Sequence, residues 1–320
     1  MSKSINIIEF LKESKNTSVL DVRSPSEFEQ GHIPGAINIP LLNNEERAKV
    51  GLTFKEKGRS EAVVLGFELV GNKFAEKIRM VEEKIKSKNV LIYCWRGGLR
   101  SEVFSWILHK AGWNTVTLIK GYKIFRNWVL ETLEQPRKLK ILGGLTGSGK
   151  TEFLQKLSEK GEQVIDLEKL ACHKGSAFGA LGQNPQPTNE QFENELAMCW
   201  SQIDAEKPLW LEDESRNIGK IKIPDKIYSQ MRSSDLYVLE VTEEERIKRI
   251  LNDYGKFSKE ILIDCTRKIE KKLGTQQLKE SINYLNDGRM EEWAKLMLAY
   301  YDKMYKHGMS QRDKSKIHLI

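Results

Sequence analysis

Gly144-Leu145-Thr146-Gly147-Ser148-Gly149-Lys150-Thr151 fits the pattern G-x-x-x-x-G-K-[ST], and its flanks supply the context such a loop needs. Lys140 to Gly143 reads as a short strand before it, and Glu152 to Leu157 as a helix after it. A loop of this kind wraps backbone N–H groups around a diphosphate. Gly144, Thr146, Gly147, Ser148 and Gly149 form the cradle, Lys150 neutralises charge, and Thr151 can ligand a magnesium ion. The pattern commits this part of the chain to strand, loop and helix. It specifies a diphosphate, not a particular nucleotide.

A second stretch has the same layout. Val90 to Tyr93 reads as a buried strand that delivers Cys94 to its C-terminal end. Trp95, Arg96, Gly97 and Gly98 follow, then a helix carrying Leu99, Arg100 and Ser101 in its first turn. Val103, Phe104, Ile107 and Leu108 mark its apolar face. Two glycines let successive N–H groups turn inward towards a helix N-terminus, a cradle for an anion that also favours a thiolate. Arg96 and Arg100 are expected to add fixed positive charge. An inert core cysteine would have no use for these glycines and arginines.

Strands and helices alternate along both halves, which predicts two parallel α/β domains. Ser18 to Val22 and Thr115 to Ile119 are further strands of the first, and Ser24 or Ser26 caps a helix beginning near Pro25. Glu134-Gln135-Pro136-Arg137-Lys138 is the best linker, placing the domains at 1–135 and 136–320. In the second domain, Gln163 to Glu168 reads as a strand with acids at its end, among them Asp166. Cys172 to Gly179 is a polar loop containing His173, Ser176 and Phe178. His173 reads as a general base, an RNA contact or a loop residue. Thr188 is a plausible N-cap. Pro208 to Leu211 is an apolar strand ending in Glu212, Asp213, Glu214, Ser215 and Arg216, where a carboxylate can hold magnesium or accept a proton. Arg216 binds phosphate or balances the acids. Asp235 to Val241 is the last strong strand, and a helical C-terminal region runs to about Lys306. Its tyrosines and Trp293 read as core more readily than as platforms for bases.

Net charge is +7, which permits an acidic partner such as RNA. The four cysteines are widely spaced, fit neither a disulfide framework nor a zinc site, and predict a reducing, cytoplasmic setting. No apolar run is long enough to span a bilayer, and no dedicated set of metal ligands stands out.

The set Asp21-Val22-Arg23, then Gly31-His32-Ile33-Pro34-Gly35-Ala36, then a loop cysteine after an apolar strand resembles the rhodanese domain over roughly residues 5 to 130. That resemblance implies sulfur or selenium carried on Cys94. One departure stands out: five residues separate Cys94 from Arg100. This C-x5-R spacing is similar to that of rhodanese-related cysteine phosphatases, whose longer loop holds a phosphate group. The loop is therefore expected to accept a tetrahedral phosphorus species.

Taken in order, Pro40 to Gly51, Tyr93 to Gly98, Gly144 to Thr151, His173 to Gly179 and Glu212 to Arg216 resemble the tRNA 2-selenouridine synthase family across nearly the whole chain. The resemblance implies a transferase acting on 2-thiouridine at the wobble position of tRNA, in the anticodon region. The sulfur is geranylated from geranyl diphosphate, then replaced by selenium from selenophosphate. It implies a perselenide on Cys94, geranyl diphosphate in the Lys150 loop, and tRNA and the selenophosphate-producing enzyme as candidate partners. Two other readings fit less: a P-loop kinase with a phosphatase-like appendage, which predicts nucleotide turnover, and a non-catalytic tRNA-binding adaptor, which leaves both loops without a use.

Overall fold

The structure, a computed structural model, describes residues 3–320. The chain divides into two compact units. One runs to Thr132 and includes Glu193–Met198; the other comprises Leu133–Phe192 and Cys199–Ile320. A charged, proline-bearing stretch places a linker only to within a few residues. The return of 193–198 to the first unit had no counterpart in the sequence reading.

The first unit holds a parallel sheet of β1 (Lys3–Ile5), β2 (Ser18–Asp21), β3 (Ile37–Asn38), β4 (Asn89–Tyr93) and β5 (Asn114–Leu118), in the order β1-β5-β4-β2-β3. Parallel strands covered on both faces read as unbroken apolar runs. Val90 to Tyr93 in β4 are accordingly all buried, and Leu20, Ile39, Val81, Phe104 and Leu108 pack in the same core. Asn44–Val70 is a helix. Asn43 and Glu46 cap it reciprocally, and Gly58, at φ 86°, interrupts it. Ser24, rather than Ser26, caps the helix Pro25–Gln30.

One buried ion pair ties the C-terminal edge of this sheet together. Asp21 ends β2 and lies in register with Tyr93 at the end of β4. Arg23 folds back onto Asp21, with Nη2–Oδ2 at 2.6 Å and Nε–Oδ2 at 2.9 Å, and neither side chain is exposed. Its Nη2 also donates to the Gly31 carbonyl at 2.7 Å, and its guanidinium lies 3.8 Å from the Tyr122 ring centroid. Burial alone would lower the Arg23 pKa; the hydrogen bonds and charge of Asp21 outweigh it and raise it. The motif Asp21-Val22-Arg23 is thus a clamp beneath the loop that carries Cys94.

The second unit holds a parallel sheet of β6 (Leu139–Gly144), β7 (Gln163–Val164), β8 (Leu209–Glu212), β11 (Asp235–Leu239) and β12 (Ile317–Leu319), in the order β12-β11-β6-β8-β7. A small antiparallel pair, β9 (Asn217–Ile218) and β10 (Ile221–Lys222), follows β8. β11 is not the last strand: three residues near the C-terminus add β12 at the sheet edge, an element too short and polar to carry an apolar pattern. The predicted strand from Gln163 to Glu168 is only two residues long, because Asp166 instead caps the helix Leu167–Ala171 through Lys169 N–H at 2.8 Å. Four helices, Glu243–Tyr254, Lys259–Arg267, Thr275–Asn286 and Met290–Ser310, build a separate apolar cluster that includes Ile247, Ile250, Leu262, Trp293, Met297 and Leu298. Among the described residues no helix is long and apolar enough to cross a membrane.

Removing one member of a fully buried ion pair strands the other, at a cost of about 3–5 kcal/mol. Asp21→Ala should therefore lower the opening free energy of peptide 89–93, read by hydrogen exchange in the full chain, by about that amount. A loss below about 1 kcal/mol would show that the clamp is not what holds this edge.

Candidate functional site

In the first unit Cys94 follows β4 directly and is 3% exposed. Its sulfur lies 3.2 Å from Ser101 Oγ and 3.8 Å from the Gly98 carbonyl oxygen, to which Ser101 Oγ donates at 2.9 Å. Ser101 can therefore turn its hydroxyl towards a thiolate. Gly97, at φ 62°, and Gly121, at φ 56°, approach back to back: a Cβ on Gly121 would fall on the Cys94 carbonyl and the Gly97 amide. The residues after the thiol are held from behind, with Tyr122 N–H donating to Cys94 O at 2.8 Å and Lys123 N–H to Trp95 O at 3.0 Å. Trp95, Arg96 and Leu99 are exposed around the thiol.

Arg100 does not stand free beside the loop. It pairs with Glu27 in a two-point contact, Nη1–Oε2 at 2.6 Å and Nη2–Oε1 at 3.3 Å. Burial pushes the Glu27 carboxyl up, but Arg100, the Ser24 amide and Arg47 together hold it below the usual carboxylate range. Arg100 is thus a charge already compensated in part and fixed in direction, whereas Arg96 is open to solvent.

In the second unit β6 runs into the Gly144–Thr151 loop, and the helix Lys150–Glu159 follows. Lys150 Nζ reaches back to the Gly144 carbonyl at 3.2 Å. Ser148 is buried and its hydroxyl has no hydrogen-bond partner. Leu142 of β6 is in register with Glu212, the last residue of β8, so topology alone brings that carboxylate to the loop. Thr151 Oγ1 donates to Glu212 Oε1 at 3.1 Å.

Glu168 and Glu214 join Glu212, with one oxygen of each within 4.8 Å of the others. Burial, then the charges of Glu212 and Glu214, push Glu168 up to about 9. Burial and Glu212 push Glu214 up to about 7, and burial raises Glu212 despite the charge of Lys150. At neutral pH Glu168 thus keeps its proton, a single donor for one or other of its two neighbours. Without that proton or a cation, the fully buried Glu212 Oε2 has no partner.

The other candidates separate. Asp166 is a helix cap. Ser215 is exposed, and Arg216 pairs with Asp225 at 2.6 Å. Asp213, between the two glutamates, takes Arg312 at 2.5 Å instead. His173 is 9% exposed and Nδ1 has no hydrogen-bond partner; burial and then Lys268 lower its pKa, so it is neutral at pH 7. Ser176 and Phe178 turn towards the helical cluster, where Tyr301 OH accepts from Ala177 N–H at 3.2 Å. Sequence reasoning missed Arg246, whose Nε donates to Thr146 O at 2.8 Å while it pairs with Asp302 at 2.5 Å. It also missed Arg249 beside Gly147 and Gly149, and Tyr305, whose hydroxyl accepts from Gly144 N–H at 2.8 Å. Their spacings, three and four residues apart on helices, put Arg246 with Arg249 and Tyr301 with Tyr305 on shared faces.

Comparison with known proteins covers both units. A family model described as the tRNA 2-selenouridine synthase AAA domain matches residues 137–319, more than half of the chain, and a rhodanese-like domain model matches 7–127. The tRNA 2-selenouridine synthase of Shewanella sediminis is 38% identical, the alignment covering 92% of this chain and 88% of that protein. The protein of the same name from a Sulfurovum species is 37% identical, over 94% and 91% of the two chains. The two family models match this chain one in each unit, and the relatives align with it along nearly their whole length: the chain belongs to the tRNA 2-selenouridine synthase family.

Proposed function

We propose that this chain is a transferase that converts wobble 2-thiouridine of tRNA to 2-selenouridine by two half-reactions, one at each loop. The observation that carries the reading is the presence in one chain of this family of a thiol at the end of β4, Cys94, within reach of Ser101, and a complete phosphate loop at Lys150. A reaction on tRNA belongs in the cytoplasm, with the enzyme that makes selenophosphate as the donor partner.

The first half-reaction belongs to the second unit. A C2 sulfur leaves poorly as it stands and well once alkylated. The C1–O bond of geranyl diphosphate breaks, the sulfur–C1 bond forms, and diphosphate departs with the electron pair. Lys150 and the loop amides stabilise the charge that develops there. The N3 proton of the nucleobase passes to a carboxylate, and Glu214, near 7, is suited to take it at neutral pH. Thr151, Glu212 and their carboxylate neighbours also fit a magnesium ion, since Glu212 Oε2 is a buried acceptor without a donor; such an ion would add charge opposite the leaving diphosphate. Nothing in this scheme needs nucleotide hydrolysis.

The second half-reaction belongs to Cys94. A thiolate attacking the selenium of selenophosphate would have to expel phosphite, so a perselenide formed this way changes the oxidation state of phosphorus. Attack at phosphorus does not: the S–P bond forms, the P–Se bond breaks, and hydroselenide leaves. Hydroselenide then adds to C2 of the geranylated base, geranyl thiol leaves after protonation, and water returns Cys94 to the thiol by releasing phosphate. Ser101 at 3.2 Å stabilises the thiolate, and the C-x5-R loop accommodates the phosphorus.

Cys94→Ser should therefore stop at S-geranyl-2-thiouridine, and Lys150→Ala should leave 2-thiouridine unreacted, as nucleoside mass spectrometry of the tRNA would show. Loss of both steps in a folded Cys94→Ser chain would contradict the division. A selenium isotope pattern on the trapped Cys94 peptide would restore the perselenide.

The raised carboxyl values also predict a stability cost. The native state holds protons on Glu214 and Glu168 that the unfolded chain releases above about 4.5. The stability is full below that pH and is lost as pH rises through about 7 and about 9. In chelator, Glu168→Gln should be more stable than wild type at pH 9 and no more stable at pH 4, by thermal unfolding. Equal stability at both would show that the cluster is not strained.

A further inference from the structure

The rim of the Cys94 turn, wholly within the first unit, carries side chains that the chemistry at sulfur does not use. Cys94 is nearly buried and fixed at the end of β4, so a reacting base must come to it. Two backbone segments meet at this rim. A Cβ on Gly97 would lie 2.7 Å from the Lys120 amide nitrogen, and Lys123 N–H donates to Trp95 O at 3.0 Å. The pairing brings Trp95, Arg96, Lys120 and Lys123 to one rim, and all four are exposed.

Trp95 is a large aromatic left 37% exposed. Tyr122 and Arg23, both fully buried, stand behind it: the Tyr122 ring centroid is 5.6 Å away, and the Arg23 guanidinium lies 5.8 Å from the Trp95 ring centroid. The exposed part of the indole lies away from these two, on a ring that they hold in place. The cations differ from their neighbour Arg100. Glu27 takes Arg100, whereas Arg96, Lys120 and Lys123 have no ion-pair partner among the described residues. Lys120 is also strained, with φ at 62°, a left-handed conformation that glycine adopts freely and a residue with a side chain does not. A lysine at such a position points to a use for its ammonium. An exposed ring among unpaired cations suits single-stranded RNA, whose bases stack on the ring while its phosphates take the charges. A protein face would need carboxylates placed to match three cations; RNA supplies a phosphate at every nucleotide.

We propose that Trp95 is the stacking platform for the nucleobase undergoing selenation, and that Arg96, Lys120 and Lys123 hold the phosphates flanking it. The proposal rests on the reading of Cys94 as the selenation site and deepens it. A base in the anticodon loop is unpaired, so it can be splayed out for stacking. On Trp95, the residue next to Cys94 in the chain, it presents C2 where hydroselenide is released, before that ion diffuses away.

The test is single-turnover selenation of a tRNA carrying S-geranyl-2-thiouridine, with free selenophosphate and the full chain in excess. Trp95→Ala should lose about tenfold in rate over half-saturating concentration, whereas Trp95→Phe, which keeps a ring, should retain most of it. Lys120→Gly should melt no lower than the wild type, because it relieves the backbone. Its half-saturating concentration should nevertheless rise, with a log–log salt slope shallower by about 0.7. Arg96→Gln and Lys123→Gln should flatten the slope likewise. Normal selenation by folded Trp95→Ala overturns the platform and leaves the Cys94 reading standing. A wild type that cannot convert this tRNA overturns both. Variants that are normal with free selenophosphate, but fail when an enzyme generates it in place, would make the rim a protein docking surface and overturn the proposal. Should Trp95→Ala fail to fold, a tRNA with 5-iodouridine at the target position decides the matter in the wild type. Irradiation should crosslink that base to Trp95, and a crosslink confined to other peptides overturns the assignment.

Discussion

Lys150 faces three carboxylates, and one ammonium cannot balance them. Glu168, Glu212 and Glu214 are held within a few ångströms of one another at the C-terminal edge of a parallel sheet, where burial removes the water that would screen them. The fold produces this crowding by register. β8 lies beside β6, so a carboxylate at the end of β8 meets the loop that leaves β6. The conflict has three resolutions: a retained proton, a bound divalent cation, or a reaction that moves charge through the site. Strain of this kind is tolerated where it serves chemistry. The rest of the second unit supports that edge. Arg246 and Asp302 fasten the helix 243–254 to Thr146, Tyr305 fastens the last long helix to Gly144, and Arg312 draws Asp213 away from the other acids.

The first unit solves a simpler problem. A thiol at a strand end needs a loop that does not collapse onto it. Asp21 and Arg23 fix the strand ends beneath, Gly97 and Gly121 allow two backbone segments to touch, and Ser101 stands ready for the thiolate. Glu27 settles the direction of Arg100 without removing it from the helix turn that follows Cys94.

Much of this was legible in the sequence because it is local. The strand, loop and helix around Lys150, and those around Cys94, depend on contiguous residues and appeared where the residue pattern put them. Glu212 and Glu214 were legible for the same reason, as acids ending an apolar strand. What was not legible depends on distant partners. Arg100 read as fixed positive charge for an anion and Arg216 as a phosphate ligand or a balance for the acids; Glu27 and Asp225, distant in sequence or past a turn, pair with them instead. Asp166 looked like a site residue because caps and catalytic acids occupy similar positions at strand ends. The helical region from Thr242 onwards carries mixed charge, so nothing local marks Arg246 and Arg249 as neighbours of the phosphate loop. β12 is three residues long and owes its strand conformation to β11.

The measurement that bears most directly on the whole account is nucleoside mass spectrometry of a 2-thiouridine tRNA incubated with the wild-type chain, with each co-substrate omitted in turn. Geranyl diphosphate without selenophosphate should give the S-geranyl nucleoside alone, both together should give 2-selenouridine, and selenophosphate alone should give neither. Formation of 2-selenouridine from selenophosphate in the complete absence of geranyl diphosphate would contradict it, and so would an unchanged nucleoside under every condition from folded protein that binds the tRNA.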